Sequence, residues 1–118
     1  MSIKEFTDLV AWQKACDFVV LVYEETKNFP KDEIFGLTSQ IHRAAVSVSS
    51  NIAEGFGRRS AKDRIHFYDM ARASLSEVQN QLIIAMRVGY LSNNKQAILF
   101  EKSVEVSKII SGLIKSTK

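Results

Sequence analysis

Between residues 37 and 52 apolar side chains return every three or four positions (Leu37, Ile41, Ala45, Val48, Ile52), and most other side chains in the run "RAAVSVSSNIAEG" are small. That period builds one face of a helix, and the small residues make the helix thin. Ala44, Ala45, Ser47, Ser49, Ser50 and Ala53 let another helix approach closely, within one chain or from another subunit. Gln40, Arg43, Ser47, Asn51 and Glu54 add a polar stripe. The spacing predicts a helix from about Phe35 to Glu54, with Gly55 as the left-handed residue just past its end.

The same period recurs along the chain. A first helix is expected to open at Thr7 or Asp8, both good N-caps, with Leu9, Trp12, Cys16, Val19 and Tyr23 on one face. Ala11, Ala15, Phe18 and Val22 form a second stripe, and Pro30 marks the end by biasing Phe29 away from helical geometry. A third helix, about 61 to 88, carries Ile65, Tyr68, Ala71, Leu75, Val78, Leu82 and Ala85, opening on a capping box from Ser60 to Asp63 and closing at Gly89. Ser92 or Asn93 caps a fourth, with Ala97, Phe100, Val104 and Ser107 beside Leu99, Val106, Ile110 and Leu113. No window alternates with a period of two. With one proline and five glycines in 118 residues, the breaks are few and the connections short. The expectation is an all-α, antiparallel up-down-up-down four-helix bundle, a single domain over residues 1–118.

Chemistry is sparse. A single cysteine, Cys16, excludes an internal disulfide and any CxxC metal or redox motif. Gly55-Phe-Gly57 lacks the phosphate-cradling pattern and follows a helix instead of a strand. Asp63-Arg-Ile-His66 is one imperfect copy of the Glu-x-x-His motif that a bundle di-metal site needs twice. No metal, cofactor or enzymatic activity is expected. The start "MSIKEFTDLV" lacks a signal-peptide core and no stretch approaches a membrane span, so the expected address is the cytoplasm.

Charge is the remaining signal. The net is +3, and Arg58, Arg59, Lys62 and Arg64 fall within seven residues, at a turn followed by a helix whose N-terminal dipole adds to the field. This is a candidate anion-facing rim, with Glu54 and Asp63 placed to neutralise part of it. Arg43 is expected to pair with Glu54 or Glu77 and so tie the second helix to the third.

"FPKDEIFGLTSQIHRAA", "NIAEGFGR" and "ARASLSEVQNQL" resemble the signature of the 23S rRNA-intervening-sequence protein family, also called the four-helix-bundle protein family, over roughly residues 8 to 92. The resemblance implies a bacterial protein forming a small antiparallel bundle that assembles into a ring-like homopentamer. Members are encoded within insertions in large-subunit ribosomal RNA genes and elsewhere. A similar bundle serves diversity-generating retroelements as a basic pentamer that contacts nucleic acid and a reverse transcriptase. This chain departs from the pattern at His42, where the family has a first arginine before Arg43, at Ala73 in place of glycine, and at Arg64 in place of an aromatic. Two functions stand side by side: an oligomer that binds RNA through its basic rim, or a ring that presents surfaces to a protein partner without binding nucleic acid.

Overall fold

The computed structural model describes residues 2–118 and is all-helical, with no strand among the described residues. A 3-10 turn at Phe6–Asp8 leads into α1 (Val10–Glu25), a second at Lys31–Glu33 precedes α2 (Leu37–Phe56), and α3 (Ala61–Arg87) and α4 (Asn93–Ser116) follow. Each helix packs on its neighbours in sequence, and α1 meets α4 to close the bundle. The contact of α2 with α3 is the most extensive and that of α1 with α4 the least among the helix pairs. The antiparallel four-helix bundle is as expected, 44 Å long and 25 by 21 Å across. No helix among the described residues is long and apolar enough to cross a membrane.

Ala15, Phe18, Val22, Ile41, Ala45, Val48, Ile52, Ala71, Leu75, Val78, Leu82, Ala85, Leu99 and Ile110 form the middle of the core. The α2 and α3 stripes lie where their period puts them, except that Leu37 and Ile65, near the helix starts, are only half-buried. In α1 the two stripes exchange roles. Ala11, Ala15, Phe18 and Val22 face the core, Trp12, Cys16 and Val19 are half-buried, and Tyr23 is exposed. Ala11, Ala15, Phe18 and Val22 fill the space between the helices, and Tyr23, on the outer stripe, stacks on His42 of α2 instead. On α4 the core line is Leu99, Ser103, Val106 and Ile110, while Ala97 is exposed and Phe100, Val104 and Ser107 are half-buried. Ser103 is tolerated there because its hydroxyl donates to the Phe100 carbonyl at 2.6 Å and accepts from Gln79 Nε2 at 2.8 Å.

Three helix ends differ from expectation. Neither Thr7 nor Asp8 caps α1: the Asp8 carboxylate is taken by the backbone N–H groups of Lys4 and Glu5, 3.0 Å away, so α1 starts after Leu9 with no side-chain cap. At Ser60 only half of the capping box forms, Ser60 Oγ accepting from the Asp63 N–H at 3.1 Å. Gly55 is inside α2 and not left-handed; the one glycine with positive φ is Gly89, at 89°, just past α3 where a C-terminal glycine was expected.

Candidate nucleic-acid interface

What Gly55 does is steric. A Cβ there would stand 2.8 Å from Tyr68 Cε1 and 3.0 Å from Phe67 Cβ. The last turn of α2 therefore lies directly on the first turns of α3, and only a residue without a side chain fits. That crossing fixes the turn at residues 57–60 that carries the basic cluster.

The four bases of the cluster are not equivalent. The Arg58 guanidinium lies 4.5 Å from the centroid of the Phe67 ring and bonds Glu54 Oε2 at 2.9 Å. Arg64 folds back, donating from Nε to the Arg58 carbonyl at 3.1 Å and from Nη2 to the Arg59 carbonyl at 3.0 Å. Both arginines hold the turn in shape. Arg59 and Lys62 are exposed and form no ion pair among the described residues, nor does the Asp63 carboxylate. The neutralisation weighed from the sequence is half present: Glu54 engages Arg58, and Asp63 leaves Lys62 alone.

The bundle adds bases from elsewhere. Ile3, Leu9, Phe56, Arg64, Tyr68, Leu113 and Lys118 line one depression of about 380 Å³, which brings the chain start and the end of α4 to the turn. Burial pushes the Tyr68 hydroxyl above its usual pKa, and the nearby Arg64 charge offsets part of that. Lys118 thus lies beside Arg64, Lys4 and Lys115 belong to the segments brought to the same end, and this end, residues 2–8, 54–64 and 113–118, holds seven bases against four acids. The opposite end, residues 24–37 and 87–95, holds four of each.

The expected network of Arg43, Glu54 and Glu77 does not form. Arg43 is exposed with no ion pair among the described residues, Glu54 is taken by Arg58, and Glu77 Oε2 accepts from Gln81 Nε2 at 3.3 Å. A neutral pair ties α2 to α3 instead, Ser74 Oγ donating to Ser47 Oγ at 3.0 Å, and within α2 Asn51 Nδ2 donates to the Ser47 carbonyl and hydroxyl at 2.9 and 3.0 Å. Close helices leave no width for a guanidinium, whereas two hydroxyls fit.

Two contacts escaped the sequence reading. Glu33 Oε1 accepts from the Leu37 N–H at 3.1 Å while Oε2 accepts from the Tyr90 hydroxyl at 2.8 Å, joining the α1–α2 and α3–α4 connections. An acid four residues before the start of α2 was the available signal for the first bond; nothing local signals the second. His42 stacks on Tyr23 with centroids 3.8 Å apart and bonds Thr26 Oγ1 at 2.8 Å. It lies between α1 and α2, near the end opposite the basic cluster, and burial holds its pKa below the usual value.

Comparison with protein-family models matches residues 7–112 to the 23S rRNA-intervening sequence protein family. The chain belongs to that family. The match runs on through most of α4, beyond the motifs that carried the resemblance. A solved structure of a protein of unknown function from the S23 ribosomal protein family of Bacteroides thetaiotaomicron superposes with a TM-score of 0.79 at 24% identity, covering 91% of this chain and all of that one. That likeness speaks to the fold. A search of curated proteins finds no match.

Proposed function

We propose that this family member is a non-enzymatic, self-associating bundle of the bacterial cytoplasm, with a homopentamer as the favoured assembly, and that it binds RNA through its basic end. The observation that carries the RNA reading is the gathering of seven bases from three chain segments at one end, with Arg59 and Lys62 free to meet phosphate. Phosphate contacts of this kind give affinity with little sequence preference. One protomer offers few of them, and repetition around a ring raises avidity by roughly 10²–10⁴ without new contacts.

Fluorescence anisotropy with labelled single-stranded and hairpin RNA at two salt concentrations tests this. Binding is expected to weaken steeply with salt, each neutralised phosphate on a single strand contributing a log–log slope of about −0.7. Arg59→Ser with Lys62→Ser should weaken binding and flatten the slope while leaving the melting temperature unchanged. Wild-type protein that ignores RNA at low salt would leave the protein-scaffold reading in its place.

A further inference from the structure

Phe35 is 97% exposed, and its neighbour Ile34 is 54% exposed. Scattered surface apolar residues are ordinary, but this pair stands on a turn that is held rigidly. The Glu33 N–H bonds the Pro30 carbonyl at 2.9 Å, the Ile34 N–H bonds that of Lys31 at 3.2 Å, and the Gly36 N–H bonds that of Glu33 at 2.9 Å. The Glu33 side chain fastens the turn to Leu37 and Tyr90. Gly36 is part of the same device, because a Cβ there would stand 2.7 Å from Glu33 Oε1. A phenyl ring is thus presented to solvent from a fixed support, with little ordering left to do on binding.

Elsewhere the chain has a place for it. Where α1 and α4 part, Phe18, Leu21, Val106 and Ile109 line a half-open groove of about 600 Å³, a size typical of clefts that bury small apolar groups. Lys14, Asp17 and Lys108 stand on its rim with no ion pair among the described residues. Lys31 and Asp32 flank the knob and are also unpaired there. We infer that the Ile34-Phe35 knob of one copy seats in the α1–α4 groove of a second copy, with Asp32 toward Lys14 or Lys108 and Lys31 toward Asp17. The inference rests on the self-association in the proposed function. Knob and groove are different surfaces, so every copy offers one of each, and the contact is head-to-tail, the kind that closes into a ring or runs on as a filament.

Cross-linking and mass together test it. Chains carrying Phe35→Cys and chains carrying Leu21→Cys, both on a Cys16→Ser background, are co-expressed and mildly oxidised. A disulfide-linked pair joining the two kinds of chain is expected, and it should be absent when either is expressed alone. Lys14→Cys on the exposed rim replaces Leu21→Cys should the latter disturb folding. Phe35→Ser should lower the light-scattering mass at micromolar concentration at least twofold, with far-UV circular dichroism unchanged. No mixed cross-link, or full assembly by Phe35→Ser, overturns the knob while leaving self-association standing. A wild-type monomer overturns both, and RNA binding by such a monomer would keep the basic-end reading alone.

Discussion

The two ends of the bundle are both rigid, but by different means. At the basic end α2 lies on α3 with no space for a side chain at Gly55, and the turn beyond is braced by Arg58 over Phe67 and by Arg64 on two carbonyls. At the other end the two connections are joined by hydrogen bonds to one carboxylate, Glu33. Steric support and guanidinium charge persist at any ordinary pH, since arginine stays protonated. Carboxylate support does not. The basic end should hold its shape under acid conditions that loosen the knob end.

The largest expected effect tests the steric side. Gly55→Val places carbon inside contact distance of Tyr68, a buried ring held by the core. Overpacking of this kind costs about 3 kcal/mol, at the upper end of its usual range. Urea unfolding of Gly55→Val and Gly57→Ala separates the two glycines, because a Cβ at Gly57 meets only the Glu54 carbonyl, at an ordinary 3.6 Å. Equal stability of Gly55→Val and the wild type would mean that α2 and α3 do not cross this closely.

A smaller effect belongs to the knob end. The Leu37 N–H and the Tyr90 hydroxyl, in that order, hold the Glu33 carboxyl below the ordinary glutamate value of 4.5. In the unfolded chain the proton binds near that ordinary value, so the folded state holds it less readily. The stabilisation is complete above about pH 4.5 and is lost as pH falls through the lower folded value. Thermal melts of the wild type and Glu33→Gln should differ at neutral pH and converge as pH falls below the ordinary glutamate value of 4.5 and through the lower folded one. Tyr90→Phe should reproduce part of the difference, since it removes one of the two donors. A constant gap across that range would assign the effect to something other than ionisation.

How much of this was open to a reader of the sequence depends on the distance between partners. Helix order, Ser60 and Ser92 at their N-caps, and Gly89 past α3 follow from neighbours within four or five residues, and all stand as expected. Gly55 has the local pattern of a cap, a glycine near a helix end, but its glycine requirement comes from Tyr68, thirteen residues on. The α1 stripes were exchanged because period alone cannot say which of two adjacent apolar faces points inward. The charge of the 58–64 turn is plain, but its division into braces and free bases depends on where the chain folds back, as does the arrival of Lys118.

Between the two ends lies the smallest expected effect, at Arg43. Spacing suggested a buried ion pair with Glu54 or Glu77, whose loss would cost roughly 3–5 kcal/mol. The structure puts the guanidinium in water and gives the α2–α3 seam to Ser47, Ser74 and Asn51. Exposed substitutions away from caps and networks stay within about 0.5 kcal/mol, so Arg43→Met should unfold with the wild type. Ser47→Val should cost more, because it leaves the Ser74 hydroxyl without its acceptor and removes one of the two acceptors of the Asn51 amide. Denaturant midpoints of the two variants, measured beside light-scattering masses, decide the matter. Arg43→Met that keeps its midpoint but loses mass would place the guanidinium between copies, adding the middle of α2 to the contact surface. Loss of the midpoint itself would restore the buried pair and contradict the exposed position.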